Sequence, residues 1–325
     1  MGQRRPRLTP AQTGLLEETP WIPAAAAPCD SARVPPSHSP CPFRLVMKSL
    51  ANEFFLTMEN GARAHQKAHA SEYTLLANGI RDETDTSGQI RLIEQMIVAR
   101  VDALVLAPAD SKALVPVVKK AVDAGILVVN IDNRLDPEAL KEKGLNVPFV
   151  GPDNHKGARL VGDYVARSLK PGDAIGIIEG IPTTTNAQQR TAGFREAATA
   201  AKLRIVSVQS GEWEIDKGNK VAAAMLRAQP DIKALLCGND NMAIGAVSAV
   251  RAAGKTGRVL IGGYDDIAAI KAMLADGRVT ATANQHAGQQ AVYGIQTALK
   301  ALAAKTPQAQ LGGVIETPVN LVTRS

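Results

Sequence analysis

The sequence predicts an α/β fold of two similar, doubly wound parallel-sheet lobes, and three observations carry that prediction. Short apolar runs alternate with segments of helical period from Phe43 onward, and the rhythm restarts near Ala174. The 325 residues correspond to about two domains at roughly 150 residues each, each long enough to bury its own core.

In the first unit Phe43 to Met47, Tyr73 to Ala77, Ala103 to Ala107 and Leu127 to Ile131 read as strands, while Gln89 to Arg100 and Ala113 to Ala124 have helical period. Strand, helix, strand at this spacing implies right-handed crossovers and a parallel sheet. In the second unit Ala174 to Glu179, Arg204 to Val208, Ala234 to Cys237, Val259 to Gly263 and Val279 to Ala283 read as strands, with helices starting at Ala187, Lys217, Met242, Ile267 and Ala287. Residues 1–42 differ. They hold nine of the 19 prolines and two of the three cysteines, without periodicity, which predicts a disordered or mis-assigned N-terminal leader. Arg4, Arg5 and Arg7 could form a charged n-region, but Glu17, Glu18 and four prolines break the stretch from Leu8 to Pro28, so no export signal is readable.

Composition excludes several classes. A chain 45% hydrophobic and 21% charged is globular, and no run approaches the roughly 18 apolar residues of a membrane-spanning helix. The net charge of +6 is dispersed and paired with acids, as in Lys119, Lys120 and Asp123, which reads as a solvated face rather than a nucleic-acid surface. Three cysteines, at positions 29, 41 and 237, exclude a disulfide framework and offer no C-x-x-C spacing. Cys237 reads as a small core residue.

Enzyme signatures fail on inspection. Ala253-Gly254-Lys255-Thr256 echoes a phosphate loop but follows a helix and has Ala249 where a glycine is needed. His65 and His69 have the spacing of zinc ligands, yet Gln66 replaces the glutamate, so a solvated pair is expected. Asp132 and Asp265 have the residue type of a glycosidase pair, but their placement in opposite units near Arg190 favours ionised acceptors over a proton donor.

In an open parallel sheet, ligands bind beyond the carboxyl ends of the strands. There the first unit offers Lys48, Ser49, Asn52, Phe54 and Phe55, then Pro108, Asp110 and Ser111, then Asp132, Asn133 and Arg134. The second offers Thr183 to Asn186 with Arg190, then Trp213, Asn239 and Asp240, Tyr264 to Asp266, and Asn284 with Gln285. Planar amides, carboxylates and a guanidinium bond adjacent hydroxyls in pairs, and a ring face covers C–H surface. That is the chemistry of a polyhydroxylated neutral ligand. Singly, Phe54 and Phe55 read as core and the Asp and Asn residues as helix N-caps; the whole set at one sheet edge reads as a site.

The runs Ser49-Leu50-Ala51-Asn52-Glu53-Phe54-Phe55, Ala107-Pro108-Ala109-Asp110-Ser111, Asn130-Ile131-Asp132, Gly238 to Ala246 and Gly263-Tyr264-Asp265 resemble the ribose-binding protein branch of the periplasmic sugar-binding proteins, the receptors of ABC importers. The resemblance covers residues 43–325. It implies a three-crossing hinge near Pro152, Gln285 and Asn320, with residues 43–152 plus 286–320 in the first lobe and 153–285 plus 321–325 in the second. It also implies a monomeric periplasmic receptor that closes on a neutral monosaccharide, pentose or hexose, or a polyol, without converting it. No cofactor, metal or nucleic acid is implied; an inner-membrane ABC permease and a chemoreceptor are.

By that resemblance Asn52, Asp132, Arg190, Asn239, Asp265 and Gln285 stand where the family binds hydroxyls, and Phe54 and Phe55 form one stacking wall. Trp213 and Tyr264 replace phenylalanines of the ribose receptor. Ala107 and Asn133 stand for its asparagine and arginine, and Lys48 for a serine, reaching either into the crevice or out to solvent. With two ribose contacts shortened or absent, D-ribose is expected to bind at least about tenfold more weakly than the best ligand. The alternative is the effector domain of a LacI-type repressor, which would need a helix-turn-helix of roughly 50–60 residues ahead of the first strand; residues 1–42 are too short and too rich in proline.

Overall fold

The computed structural model describes residues 41–324. The chain lays down β1 (Cys41–Ser49), α1 (Glu53–Ala68), β2 (Tyr73–Ile80), α2 (Thr86–Ala99), β3 (Ala103–Leu106), α3 (Val115–Asp123), β4 (Leu127–Ile131), α4 (Pro137–Glu142) and β5 (Phe149–Pro152). It then crosses to α5 (Asn154–Ala166), β6 (Ala174–Glu179), α6 (Thr185–Ala200), β7 (Arg204–Ser210), α7 (Ile215–Ala228), β8 (Ile232–Cys237), α8 (Asp240–Ala252), β9 (Leu260–Gly262), α9 (Ala268–Ala275) and β10 (Ala281–Asn284). It returns through α10 (Ala287–Ala303) and β11 (Val314–Thr317) and finishes in β12 (Asn320–Thr323).

Two six-stranded sheets result, in the orders β2-β1-β3-β4-β5-β11 and β7-β6-β8-β9-β10-β12. Every pairing is parallel except that of β12 with β10. These are the two α/β lobes of the sequence reading. Each repeats the doubly wound order whose switch point, between β1 and β3 and between β6 and β8, opens a crevice at the strand ends. Strand residues alternate between the helical layers, as the pleat requires. Phe43, Leu45 and Val105 pack with Phe54 and Met58 of α1 and Ile295 of α10, whereas Val46, Leu104 and Leu106 pack with Ile93 of α2 and Val118 of α3.

The short strands β5, β11 and β12, four residues each, have no counterpart in the sequence reading. Cys41 and Pro42 pair with Tyr73 and Thr74, so β1 starts inside the segment assigned to the leader; residues 1–40 lie outside the described residues. Cys41 is disulfide-bonded, so the sparse cysteines exclude a framework but not a single bond. Cys237 is free and fully buried. His65 and His69 stack at 4.2 Å, and neither is merely solvated: His65 Nδ1 lies 2.8 Å from the Tyr73 hydroxyl and His69 Nδ1 2.8 Å from Glu72.

The chain passes between the sheets after Pro152, after Asn284 and after Thr317. Asn320 pairs with Asn284 in the second sheet, so it stands beyond the third crossing rather than before it. His286, in the left-handed region at φ 54°, places Nε2 2.7 Å from Asn320 Oδ1 and so ties two crossings together.

Helices α1 and α10 touch at two glycines. A Cβ on Gly61 would lie 2.6 Å from the Gly288 Cα, whereas one on Gly288 would meet nothing closer than 3.5 Å. Backbone yields little, so Gly61→Ala should cost about 1–3 kcal/mol in denaturant titration, while Gly288→Ala should be neutral or gain up to about 1 kcal/mol of helix propensity. Equal unfolding midpoints for the two variants would refute this close approach.

Candidate functional site

The carboxyl ends of the two sheets face one another across a cleft. The first lobe contributes Lys48, Asn52, Phe54, Phe55, Glu83 and Asp132, the second Asn186, Arg190, Trp213, Asn239 and Asp265, and Gln285 stands at the second crossing. The space between them, its mouth to solvent included, is about 240 Å³.

Several lining groups are also helix caps. Asn52 caps α1 by accepting from the Phe54 amide at 3.1 Å, and its Nδ2 donates to Glu83 at 3.0 Å. Asn239 caps α8 through the Met242 amide and donates to the Trp213 carbonyl at 3.1 Å. Each of these residues therefore both caps a helix and lines the cleft, because a helix that starts at a strand end aims its cap there. Phe54 and Phe55 meet edge to face at 5.1 Å.

Lys48 reaches into the crevice. It is 2% exposed, its Nζ lies 2.9 Å from Glu83 Oε2, and the ammonium sits over the Phe55 and Trp213 rings at 5.5 and 5.2 Å. Glu83, absent from the sequence expectations, follows β2 and so occupies the same kind of strand-end position as the other lining residues. Asn186, noted only as part of a strand-end loop, also lines the cleft.

Arg190 donates from Nε to Asn154 at 2.8 Å and from Nη1 to the Gly238 carbonyl at 2.9 Å, with Asp265 at 3.5 Å. Its guanidinium lies 3.7 Å from the Tyr264 ring centroid. Gln285 donates to Asp265 at 2.6 Å. Asp132, Trp213 and Asp265 have φ of 63°, 69° and 124°, a strained backbone concentrated at the cleft. Asp132 Oδ2 and Trp213 Nε1 are buried without a hydrogen-bond partner.

Three residues expected to contact ligand stand behind the wall instead. Ala107 is fully buried, and its carbonyl accepts from Gln89. Asn133 donates to the Pro108 carbonyl and accepts from the Asn186 amide across the lobes at 3.2 Å. Tyr264 lies beneath Arg190 as a platform, its hydroxyl buried and its pKa raised by burial.

The lobes are closed on one another. Besides the Asn133 contact, Ser111 Oγ accepts from the Thr185 amide at 2.9 Å, and the Glu83 amide donates to Glu214 at 3.3 Å. Burial raises the pKa of Glu214 and Asp265, and that of Asp132 to about 6 against the pull of Lys48 and Arg190.

A two-lobed α/β cleft with charged and aromatic walls at the switch points of both sheets defines a class of binding proteins, and comparison places the chain within it. Residues 43–306 match the family model described as a periplasmic binding protein domain, and the chain belongs to that family, in its ribose-binding-like branch of sugar-binding proteins. It is 71% identical over 279 residues, 86% of this chain and 88% of the relative, to the D-ribose/D-allose-binding protein of Pseudomonas aeruginosa. Among solved structures, an ABC transporter solute-binding protein from Burkholderia multivorans is 71% identical with a TM-score of 0.86, covering 88% of this chain and all of that one. The solute-binding protein of Actinobacillus succinogenes with bound D-allose is 34% identical with a TM-score of 0.80, covering 87% and 97% of the two chains.

Asp132 links closure to pH. In an open, hydrated cleft its carboxyl returns toward the ordinary value of 3.8, so closing on nothing takes up protons. Closure of the ligand-free protein is thus most favoured below that value, and the advantage is lost as pH rises through about 6. The closed fraction, read by energy transfer between labels on the two lobes, should rise from pH 7.5 to 5.5, and Asp132→Asn should lessen the rise, leaving only the share due to Asp265 and Glu214, whose carboxyl pKa values burial also raises. A flat profile in the parent protein would contradict the linkage.

Proposed function

We propose that this protein captures a neutral aldose of ribo configuration, D-allose foremost and D-ribose second, in the periplasm and hands it unchanged to an ABC permease. The observation that carries the reading is the pair of orphaned groups in the closed cleft, the Asp132 Oδ2 acceptor and the Trp213 Nε1 donor. Each costs roughly 1–3 kcal/mol unless a ligand hydroxyl meets it. Around them stand the amides of Asn52, Asn186, Asn239 and Gln285, the Arg190 fork and the Phe54 and Phe55 rings, which suit hydroxyls on one side and C–H surface on the other.

The relative's specificity for D-ribose and D-allose has a simple chemical basis. Allopyranose is ribopyranose with a hydroxymethyl group at C5, so one set of partners for the shared hydroxyls serves both. The buried Lys48–Glu83 pair supplies the donor and acceptor for that added hydroxyl, and this favours the hexose. Residues 43–152 with 286–319, and 153–285 with 320–324, move as two bodies about the three crossings, and the ligand completes its contacts only when they close.

In side-by-side calorimetry D-allose should bind tightest and D-ribose at least about tenfold more weakly, about 1.4 kcal/mol, and the sugar should be recovered unaltered. Ribose at the head of the series would remove the role given to Lys48 and Glu83, and a chemically changed sugar would overturn binding without conversion. Arg190→Ala should lose at least about tenfold in affinity, because it removes the fork and leaves Asp132 and Asp265 without their shared cation. Unchanged affinity would mean that the ligand lies elsewhere.

A further inference from the structure

We propose that Glu53 is a further determinant of binding, which acts away from the ligand by capping helix α9 of the opposite lobe and so holding the cleft shut. Helix α9 starts badly by its own sequence. Its N-cap is Ile267, which makes no side-chain cap bond and is of a type disfavoured there. The first-turn donors can be followed one by one: the Ile267 amide donates to Asp240 of its own lobe, and the Ile270 amide to the Ile267 carbonyl. The Ala268 and Ala269 amides donate to Glu53 Oε1 and Oε2 at 2.7 and 3.2 Å.

Glu53 is the first residue of α1 in the other lobe. Among the described residues, no side chain of the second lobe accepts from these two amides. The carboxylate is therefore a cap supplied in trans, placed where two free N–H groups and the positive end of the helix dipole favour an anion. Opening the cleft withdraws it and leaves both amides to water. The bond exists only in the closed form, so it shifts the open–closed equilibrium toward closed and slows escape of whatever is enclosed. Asn52 beside it lines the cleft, so the residue that caps α1 into the site and the residue that caps α9 across it are adjacent in sequence.

The proposal rests on lobe closure but not on the identity of the sugar, and the test keeps the two apart. Ser111 Oγ and Thr185 Oγ1 face one another across the lobes at 3.0 Å, so the double variant S111C/T185C, once oxidised, holds the protein shut without ligand. In that background the Ala268 and Ala269 amides should exchange hydrogen slowly. Adding Glu53→Ala should speed them at least about fivefold, the effect of roughly 1 kcal/mol of capping. Glu53→Asp, which keeps the acidic first turn of α1 but is one methylene too short, should speed them as well while leaving the first turn of α1 unchanged. Unaltered exchange at Ala268 and Ala269 in both variants would overturn the proposal. In the uncrosslinked protein, the same substitutions should quicken D-allose dissociation at least threefold with the association rate unchanged, and equal dissociation rates would sever the cap from binding. Failure of the parent protein to bind D-allose would count against the ligand assignment alone, because the exchange experiment uses no sugar.

Discussion

A buried guanidinium sets the terms for the rest of the cleft. Arg190 is 3% exposed, and a guanidinium taken out of water must have its donors satisfied by its surroundings. They do so from several directions, through Asn154, the Gly238 carbonyl, Asp265 and the Tyr264 ring. A lysine could not replace it, because the contacts need a planar fork that stacks on one face and donates at its edge. The platform beneath it sets a further condition. A Cβ on Gly157 would lie 2.4 Å from the Tyr264 hydroxyl, so the first turn of α5 is bare where the ring must pass.

The first lobe answers with a charged pair of its own, Lys48 with Glu83, and Asp132 stands between the two sets. Ion pairs removed from water lose hydration that their mutual attraction only partly returns. In the open cleft these groups are wet. Closing on nothing strips that water and orphans Asp132 Oδ2 and Trp213 Nε1, whereas closing on hydroxyls replaces it group by group. The charges that line the cleft thus oppose closure unless polar groups take the place of that water, without any separate switch.

The fold was legible in the sequence wherever strands were long or continuously apolar, as at Leu127–Ile131 and Ala174–Glu179, whose bounds agree with the structure. Strands β5, β11 and β12 escaped because β5 runs into Gly151-Pro152 and β11 and β12 are sheet-edge strands without a continuous apolar run, whereas β3, equally short, is wholly apolar. The site was legible for a topological reason: residues just past strand ends converge, so reading the strand ends found Asn52, Asp132, Arg190 and Asp265 at once. A strand end fixes where a residue sits but not which way its side chain turns. Asn133 and Tyr264 therefore came out as ligand contacts, although one bridges the lobes and the other underlies Arg190. Lys48 could not be oriented until its partner was known, and that partner, Glu83, lay in the one strand-end loop of the first unit that was not read.

Trp213 shows how the two lobes share one side chain. Its loop carries two consecutive left-handed residues, Glu212 and Trp213, a conformation that costs of order 1–3 kcal/mol per residue and persists only where neighbours over-determine it. Here Asn239 holds the Trp213 carbonyl and Ser210 Oγ accepts from the Glu212 amide. The indole lies flat against backbone: a Cβ on Gly180 would stand 2.0 Å from the ring, and one on Gly238 3.2 Å. Thus held, the ring faces Lys48 of the first lobe at 5.2 Å and Arg190 of the second at 5.5 Å. Two cations that would repel across a closing cleft are instead both drawn to one indole, an interaction worth about 2 kcal/mol or more once desolvated. The backbone strain of this loop thus allows both lobes to bring positive charge to the same small cleft.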